Sequence, residues 1–476
     1  MRIAILHYHL RAGGVSRIID LAVKALLEAG HKVAVIAGSL PHQKSLLLSS
    51  RCVGLVSELD YTDHCGDIAA LGRDVDALAE EMLGGVPDIW HFHNPTLGKN
   101  PMLPMLAARW AEEGRAIVFQ LHDFAEQGRP YNYRRLNEAA SLVGITLGEF
   151  LYPMHPRVRY AVLTSADAVS LSAAGLASRV TVLPNPVQHL PMVTPFPASS
   201  ISAEEYFVYP TRAITRKNIG EALLWAILMN PGQKLVITLA PEDPTACKEH
   251  DLWEAFAKSH DLPVIFDSVT RFGRPLGDFI AGSRAAITTS IREGFGMAYT
   301  EPWLFGRPVV GRNLSKVTLD FRDAGLCFDW LYNSIPLTLT TEESSLYNAM
   351  REFKQKVNLQ GYGAEYQKSP GKNDISQMQV DFGHLDSSLQ RGVLDRWIRT
   401  GFHGVVLPDL QVEKATEFVH QNQNILLGKY GLNRYAADLE KLYVQVLSGE
   451  VGVRDEVNAP ARFLDPKAVL WEFINT

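Results

Sequence analysis

Strand, turn and helix patterns alternate along most of this chain, and this alternation restricts the fold more than any other feature. An apolar run at residues 2–8 precedes a glycine turn, and the apolar positions of residues 15–29 then repeat at spacings of three and four. This pattern predicts a buried strand followed by an amphipathic helix that ends at Gly30. Residues 32–37 predict the next strand, so the unit forms a right-handed parallel crossover.

The same rhythm continues in two blocks. Further strands are predicted in the first block at residues 88–92, 116–121, 160–164 and 179–183, and in the second at 206–209, 234–239, 263–266, 285–289 and 308–311. Parallel strands with helices on both faces form doubly wound sheets, which bind ligands beyond the carboxyl ends of the strands. The sequence therefore predicts an α/β fold with two Rossmann-like, doubly wound domains that face a central cleft.

Length and local composition place the domain boundaries. A chain of 476 residues exceeds one ordinary hydrophobic core. We predict an N-terminal domain at 1–186, a linker rich in Pro and Ser at 187–204, a second domain at 205–455 and a tail at 456–476. Residues 314–380 are predicted to be an exposed insertion, which the sequence leaves open as a lid, an acceptor-recognition element or an oligomer contact. Helical periodicity returns at 389–398 and 424–447.

Charge and cysteine content exclude several classes. The formal net charge of -6 argues against a general nucleic-acid binder. The four cysteines are scattered without metal-ligand spacing, which favours a reduced cytoplasmic protein. No apolar run reaches transmembrane length, so any membrane contact is expected to be peripheral. Basic residues at 129–135 and 157–159 suit anionic head groups or an anionic acceptor, although solvated loop charges are the favoured interpretation; homo-oligomerisation stays open.

Two carboxylates stand eight positions apart in a turn that follows a buried strand. They are Glu293 and Glu301, and Gly294 and Gly296 between them let the backbone approach a ligand closely. A helix is predicted to begin near Met297, and its first amides can receive a phosphate oxygen. Because a carboxylate repels phosphate, we expect both glutamates to accept hydrogen bonds from paired hydroxyls of a sugar or ribose.

Two cations stand five positions apart after another predicted strand. Arg212 provides a planar fork and Lys217 a point charge, and both suit a diphosphate. The alternative is that these are solvated loop charges and that Glu293 and Glu301 are ordinary acids at a helix N-terminus. Both pairs occur together in the correct strand context, which favours a sugar-nucleotide site.

These motifs carry a resemblance to a known family. The spacing from Glu293 to Glu301 is an E-x7-E motif, Arg212 to Lys217 is an R-x4-K pair, and Gly13-Gly14 follows the first strand. In these features the chain resembles the retaining GT-B glycosyltransferases of the large family-four type, over residues 1–314 and again over about the last hundred. The tail at 456–476, with Trp471 and Phe473, resembles the terminal helix that crosses back to the first domain in GT-B proteins.

The resemblance implies a role for each motif. Glu293 would bind hydroxyls of the transferred sugar, Glu301 the donor ribose, and Arg212 with Lys217 the leaving diphosphate. The implied donor-binding residues are Gly13, Gly14, Arg212, Lys217, Glu293, Gly294, Phe295, Gly296, Met297 and Glu301. The implied catalytic residues are His122, Arg212, Lys217 and Glu293.

Histidines end two strands of the first block. The family places a histidine where His122 stands, against the transferred sugar or the acceptor hydroxyl; the alternative is a hydrogen-bonded structural histidine. His91 and His93 share one face of their strand, but a metal site there lacks a third ligand. We therefore predict acceptor contacts from His93, Asn94 and Asp123.

No metal is expected at the site. The segment Asp74-Val-Asp76 matches a D-x-D metal signature, but it lies in a predicted helix and is interpreted as helix electrostatics. We expect no cofactor beyond the substrate, a UDP-, GDP- or ADP-sugar. No carboxylate is predicted beneath the anomeric carbon, so front-face substitution is favoured.

The family pattern is not matched at every position. Thr211 and Asn218 occupy positions where glycine is common, and Pro302-Trp303 replaces a small residue and a methionine. None of these differences removes a motif charge. The predicted function is hexose transfer from a nucleoside-diphosphate sugar to an acceptor hydroxyl, with no nucleic-acid partner. The alternatives are a nucleotide-sugar epimerase or hydrolase on the same fold, or a non-catalytic sugar-nucleotide-binding protein.

Overall fold

The protein consists of two compact units. The computed structural model describes residues 1–41, 45, 47, 52–188, 193–363, 379–402 and 405–449. Among these residues, unit 1 contains 1–186, 356–363 and 430–449, and unit 2 contains 187–355, 379–402 and 405–429. The tail predicted at 456–476 lies outside the described residues, as do parts of the predicted linker and insertion.

Unit 1 is built on a parallel sheet of seven strands in the order β3-β2-β1-β4-β5-β6-β7. Its central strands are almost wholly buried, which is why each appears in the sequence as a short continuous apolar run. The predicted strands all form, and β3 is an additional strand that was not predicted because Gly54 interrupts its apolar residues. The strands are β1 Arg2–His7, β2 Lys32–Ala37, β3 Val53–Leu55, β4 Ile89–His93, β5 Ile117–Leu121, β6 Val158–Val162 and β7 Val180–Val182.

Helices flank this sheet, and the last of them comes from the far end of the chain. Leu432–Ser448 packs on Gly14–Glu28, with Leu439, Leu442 and Tyr443 in the same buried cluster as the sheet. The second predicted domain, which ran to residue 455, therefore ends earlier, because this helix buries its apolar stripe on unit 1. The helices of unit 1 are Gly14–Glu28, Ile68–Leu83, Met102–Glu112, Pro130–Leu142, Leu147–Leu151, Ser165–Leu171 and Leu432–Ser448.

Unit 2 contains a second parallel sheet, of five strands in the order β10-β9-β8-β11-β12. All five were predicted, and Arg212 proves to be the last residue of its strand and not part of the following loop. The predicted α/β class is confirmed by the two parallel sheets. The strands are β8 Glu205–Arg212, β9 Gln233–Leu239, β10 Val264–Ile265, β11 Ala285–Thr288 and β12 Val309–Gly311.

The predicted insertion at 314–380 is more ordered than its composition suggested. It contains a long helix, Thr341–Tyr362, and two short antiparallel strands, β13 Pro336–Thr338 and β14 Gln379–Asp381. The single helix predicted at 424–447 is divided at Gly431 into two helices. The helices that begin in unit 2 are Ile219–Ile227, Pro244–Ser259, Ser268–Phe272, Leu276–Gly282, Glu301–Leu304, Ser315–Asp323, Thr341–Tyr362, Ser387–Thr400, Val412–Glu417 and Val419–Tyr430. No helix within the described ranges is long and apolar enough to cross a membrane.

Candidate active site

Each sheet has one point where the chain reverses its direction of growth. In unit 1 this point lies between β1 and β4, and in unit 2 it lies between β8 and β11. Open parallel sheets bind ligands in the crevice that such a reversal leaves at the strand carboxyl ends. The predicted site residues follow these strands or the neighbouring β5, so the topology places each set at the edge where a ligand binds.

The loop after β8 is a short 3-10 turn, Thr215–Lys217, closed by a left-handed residue. Asn218 has φ 53° and ψ 58°, a conformation that glycine adopts without cost and that asparagine tolerates better than most residues. This explains why asparagine stands where the family commonly has glycine. The Asn218 Nδ2 also donates to Glu221 Oε2 at 2.8 Å. Glycine has no side chain and could not make this hydrogen bond.

This loop is held against the loop that follows β11. The Tyr209 hydroxyl donates to the Lys217 carbonyl at 2.8 Å, and the Thr289 hydroxyl lies 3.0 Å from the same carbonyl. The Ile291 amide donates to the Arg216 carbonyl at 3.0 Å. Backbone hydrogen bonding therefore fixes the position of the cations relative to Glu293.

Glu293 is the electrostatic centre of the unit 2 edge. Its carboxylate pairs with the Lys217 ammonium and, at 3.2 Å, with Arg216 Nη1, and its side chain is only 7% exposed. Burial alone would raise the pKa of Glu293, but the charges of Lys217 and Arg216 outweigh burial and hold this pKa below its usual value. Glu293 is therefore ionised, and it accepts hydrogen bonds rather than donating them.

One of the two cations beside Glu293 differs from the predicted pair: Lys217 was predicted, and Arg216 was not. Arg212 pairs instead with Glu242, whose side chain is 68% exposed, while Arg216 contacts Glu293. The sequence analysis did not select Arg216. Its position directly before Lys217 in a short loop was the available signal, since a tight turn can present two consecutive side chains to one partner.

The turn after Glu293 is shaped by its own packing. Gly296 has φ +86°, and a Cβ there would lie 2.6 Å from Val317 Cγ1, so the protein itself requires glycine at this position. The Phe295 ring is buried and packs edge to face on Phe321 with ring centroids 5.2 Å apart. The side chain of Phe295 thus anchors the turn, and its backbone is the part left to face a ligand.

The helix predicted to begin near Met297 is interrupted. A 3-10 turn, Met297–Tyr299, is followed by a four-residue helix that begins at Glu301. Pro302 has no amide hydrogen, so it cannot continue an α-helical ladder through this segment. Glu301 is therefore the first helical residue and is 9% exposed, instead of lying one turn inside a longer helix. Trp303 is fully buried.

A cluster of neutral histidines forms the edge of unit 1. His93 Nδ1 and His122 Nε2 are 2.9 Å apart, and their rings stack with centroids 5.2 Å apart. His91 stacks on His93 and reaches the hydroxyl of Tyr443 at 2.9 Å. Burial lowers the pKa of His122 to about 4 and that of His91 to about 3, and burial followed by the neighbouring histidines lowers the pKa of His93. These rings are uncharged at neutral pH.

The residues predicted to contact the acceptor are used in different ways. His93 is fully buried, and the Asn94 side-chain oxygen accepts from the amides of His122 at 2.6 Å and Asp123 at 3.1 Å. Asn94 itself has φ 54°. His93 and Asn94 therefore fix the geometry of the turn that carries His122. Asp123 is more accessible and pairs with Arg129 at 2.9 Å.

Gly13 and Gly14 begin the first helix of unit 1. Gly13 caps it with extended backbone, φ 178°, and a Cβ at this position would meet only the Arg11 carbonyl oxygen, at 3.8 Å. No packing within unit 1 therefore requires glycine at residue 13. The open space above this residue is available to a ligand at a helix N-terminus.

The predicted D-x-D segment is helical, as expected. Asp74 and Asp76 lie in Ile68–Leu83, and Asp76 accepts from Arg115 Nη2 at 2.9 Å. Among the described residues, one group brings three metal-ligand types together: His250, Glu254 and Asp267 have ligand atoms within 4.8 Å of one another. His250 and Glu254 lie on the helix that follows β9, and Asp267 follows β10.

A buried ionic network supports the unit 2 edge from behind. Arg312 is 2% exposed, and its guanidinium donates to Glu221 Oε1 at 2.9 Å and to Asp381 Oδ1 at 2.9 Å. Tyr332 donates to the same Glu221 at 2.6 Å, and Glu221 in turn accepts from Asn218. The network thus links β14 of the insertion to the loop that carries Lys217. Sequence reasoning missed it because its members are far apart in the chain.

Comparison with known proteins supports the resemblance to family-four glycosyltransferases. Residues 12–189 match the sequence model of Glycosyltransferase Family 4. Mannosylglucosyl-3-phosphoglycerate synthase of Petrotoga mobilis is 24% identical over 472 residues, which cover 91% of this chain and 89% of that protein.

Solved structures share the fold over nearly the whole chain. Sucrose-phosphate synthase of Thermosynechococcus elongatus superposes with a TM-score of 0.53 at 12% identity, covering 94% of this chain and 99% of that one. HepE of Anabaena, in complex with UDP and glucose, gives a TM-score of 0.54 at 14% identity, covering 93% and 98%. The resemblance predicted from the motifs is confirmed: the chain is similar in sequence to family-four glycosyltransferases and has the GT-B fold of the solved glycosyltransferase structures.

Proposed function

We propose that this enzyme transfers a hexose from a nucleoside-diphosphate sugar to an acceptor hydroxyl, with retention of anomeric configuration and without a metal ion. The observation that carries the proposal is the convergence of Lys217, Arg216 and Glu293 at the reversal point of the unit 2 sheet. A buried carboxylate between two cations suits a ligand that carries both hydroxyls and a diphosphate.

Different residues of the unit 2 edge would bind different parts of the donor. Glu293 stays ionised and accepts hydrogen bonds from hydroxyls of the transferred sugar, and Glu301 accepts from the ribose. Lys217 and Arg216, which neutralise Glu293, would also contact the diphosphate, and Arg212 would contribute a third cation. Preorganised cations of this kind stabilise the charge that develops on a leaving diphosphate. No residue of the described chain is assigned to a resident cofactor.

Front-face substitution fits this charge distribution. In this mechanism the bond between the anomeric carbon and the diphosphate oxygen breaks as the acceptor oxygen approaches from the same side, and the departing phosphate takes the acceptor proton. His122 would contribute a neutral hydrogen bond to the sugar or the acceptor, because its low pKa leaves no proton to donate as an imidazolium at neutral pH. The backbone from Phe295 to Met297 and the open face of Gly13 and Gly14 would receive the remaining donor oxygens.

The relatives suggest which substrates to test first. HepE is described in complex with UDP and glucose, and the name of the Petrotoga relative specifies a phosphoglycerate glycoside as its product. We therefore propose UDP- and GDP-hexoses as the first donors. Small hydroxylated acceptors, with and without a phosphate group, are the first acceptors.

The direct test is donor turnover by the full-length protein. UDP-, GDP- and ADP-sugars are incubated with wild type and Glu293→Ala, with and without EDTA, and nucleoside diphosphate release is measured. We expect one donor to be cleaved slowly by the wild type alone, equally with EDTA, and NMR of a transferred product to show the donor's anomeric configuration. Binding without turnover would favour the non-catalytic alternative, and release of an epimerised or free sugar with every acceptor would favour the epimerase or hydrolase.

Calorimetry tests the diphosphate assignment separately. Arg212→Ala, Arg216→Ala and Lys217→Ala are expected to weaken donor binding roughly tenfold or more each, since a hydrogen bond to a charged group contributes about 1.5–3 kcal/mol. Lys258→Ala, at the end of helix Pro244–Ser259, is the matched control. Unchanged affinity in one of the three variants would remove that residue from the assignment.

A further inference from the structure

Three successive loops at the ligand-binding edge of unit 1 carry a cation each. Arg11 follows β1, Lys99 follows β4, and Arg129 follows β5. Carboxyl ends of adjacent parallel strands meet at one edge, so the topology brings these loops together. We propose that these three cations bind a phosphate group on the acceptor, so that the enzyme glycosylates a small phosphorylated acceptor; this rests on the proposed function.

Two of the three cations lie over the ring of Tyr61. The Arg11 guanidinium carbon and the Lys99 Nζ each lie 5.5 Å from the centre of its ring. His9 packs against the same ring at 4.7 Å, edge to face. We call Tyr61 with Arg11, Lys99 and Arg129 the Tyr61 cluster. An aromatic face attracts cations, so the Tyr61 ring stabilises both Arg11 and Lys99 in this position.

Carboxylates orient the two guanidinium groups. Asp60 accepts from Arg11 Nη1 and Nη2 at 2.7 and 2.8 Å, and Asp123 pairs with Arg129 at 2.9 Å. Each guanidinium has five N–H donors in a fixed fork. Arg11 uses two of them on Asp60, and Arg129 uses three on Asp123 and on the carbonyls of Phe124 and Gln127, so each has further N–H donors that can reach a phosphate.

The charges act on one another across the cluster. Burial raises the pKa of the Tyr61 hydroxyl, and the charges of Arg11, Asp60, Asp123 and Arg129 all contribute to its electrostatic environment.

The backbone that carries the cluster is held in place. Asn100 Nδ2 donates to the carbonyls of Glu58 and Asp60 at 2.8 Å each, and the Thr62 amide donates to the Lys99 carbonyl at 3.1 Å. These bonds join the two loops that supply Tyr61 and Lys99, so the cations are positioned before a ligand arrives.

The insertion fixes the third cation. The Tyr362 hydroxyl accepts from the Arg129 backbone amide at 2.7 Å, and its ring packs on Tyr133 with centroids 4.9 Å apart. Both contacts lie within unit 1. The end of helix Thr341–Tyr362 therefore supports the first turn of Pro130–Leu142, which ties the insertion to this edge as an acceptor-recognition element.

The position of the cluster next to the histidines gives it a function. Asp123 directly follows His122, the residue proposed to contact the sugar or the acceptor hydroxyl. A phosphate bound by the Tyr61 cluster would anchor one end of a small acceptor while its hydroxyl reaches the transferred sugar. Binding energy from such a remote group orients the reacting group.

The test compares phosphorylated and neutral probes on the full-length protein. Binding of 3-phosphoglycerate, inorganic phosphate and glycerate is measured by calorimetry on wild type, Arg11→Gln, Lys99→Gln and the milder Arg11→Lys, each checked for wild-type thermal unfolding. Lys24→Gln, at a partly exposed lysine paired with Glu28 in helix Gly14–Glu28, is the control. We expect wild type and Lys24→Gln to bind 3-phosphoglycerate more tightly than glycerate. Arg11→Gln and Lys99→Gln should each weaken binding of 3-phosphoglycerate by roughly 10-fold or more, and Arg11→Lys by less.

The outcomes separate this proposal from the proposed function. If the wild type turns over a donor but binds 3-phosphoglycerate and glycerate equally, or if the variants bind like wild type, the phosphate site is wrong and the transferase proposal stands. If no donor is bound or cleaved, the proposed function itself fails. Sedimentation with phosphatidylglycerol vesicles tests the other source of phosphate: binding that depends on Arg11 and Lys99, without binding of free 3-phosphoglycerate, would overturn a small acceptor.

Discussion

Each sheet has a candidate ligand-binding edge at its reversal point, but the unit 2 edge is charged and the unit 1 edge is neutral. At the unit 2 edge, Glu293 is ionised between Lys217 and Arg216. At the unit 1 edge, His93 and His122 are stacked, hydrogen-bonded and uncharged, because burial lowers the pKa of both rings. Both edges are buried, so the difference lies in the partners that each fold provides.

This difference shows what burial does to a titratable group. A buried group keeps its charge only where an opposite charge offsets desolvation, as at Glu293, and it is neutral where its neighbours are other histidines. The charged edge is therefore suited to a diphosphate and a hydroxylated sugar, and the neutral edge to directional hydrogen bonds. Four predictions test this contrast.

The largest effect is expected from the network that supports the charged edge. Asp381→Asn removes one partner of the buried Arg312. Burial raises the pKa of Asp381, but its interactions with His384 and Arg312 outweigh burial and hold this pKa well below its usual range. Breaking a buried ion pair in this way is expected to lower the free energy of unfolding by about 3–5 kcal/mol. Urea unfolding followed by tryptophan fluorescence measures this loss. Asp395→Asn, which breaks an exposed pair with Arg399, should cost under about 1 kcal/mol, and equal losses in both variants would contradict the role of burial.

Removing the charge at the centre of the edge should abolish most turnover. Glu293→Gln keeps the shape but loses the ionised acceptor, and transfer is expected to fall by roughly 10²- to 10³-fold, as for other preorganised electrostatic contacts. Initial rates with a saturating donor measure the loss. Glu413→Gln, at an exposed carboxylate paired with Arg284, is the control. A Glu293→Gln rate within about threefold of wild type would rule out the central role of this carboxylate.

The neutral edge predicts a pH dependence of stability. His91 has a folded pKa of about 3 against 6.5 for the free side chain, so the unfolded chain binds more protons below pH 6.5. Stability is therefore full above this pH and falls as the pH drops toward the folded pKa, by about 1.4 kcal/mol per pH unit for each such histidine. Urea unfolding at pH 7.5, 6.0 and 5.0 measures the slope. His91→Asn should reduce the slope by one histidine's share, and a slope identical to wild type would show that His91 is not buried neutral.

The smallest effects are expected from alanine substitutions of two motif glycines. Gly296→Ala forces a left-handed residue against Val317 and should cost about 1–3 kcal/mol of stability. Gly13→Ala has extended backbone and only a distant neighbour, so its stability should change by less than about 0.5 kcal/mol. Thermal unfolding distinguishes them, and donor binding by Gly13→Ala then reports on a ligand at that residue. A large loss of stability in Gly13→Ala would mean that glycine is required by packing there.

Much of the fold follows from local pattern. The predicted strands of both sheets are present, with ends shifted by at most a few residues, because buried parallel strands give continuous apolar runs. The short strands Val53–Leu55, Pro336–Thr338 and Gln379–Asp381 were missed, since glycine, proline or polar residues leave none of them with a continuous apolar run. The break at Gly431 was missed because the helical periodicity continues through the two successive helices.

The site residues, like the strands, could be predicted only where the pattern is local in the sequence. Glu293 and Lys217 could be selected because their motif spacing is local, whereas the pairing of Arg216 with Glu293 joins residues from two loops. The Tyr61 cluster gathers residues from three loops and a tyrosine beyond β3, and no spacing in the sequence signals it. The basic segment around Arg129 was noted, but solvated loop charges were the favoured interpretation.

The sequence by itself determined the α/β alternation, the two parallel sheets and the motif residues at their reversal points, because each depends on side chains close together in the chain. Tertiary structure decided which charges are paired, which histidines are neutral and which unit receives the helix Leu432–Ser448. These properties depend on burial and on partners far away in sequence. Desolvation acts on whatever the fold brings into contact, and local pattern does not contain that information.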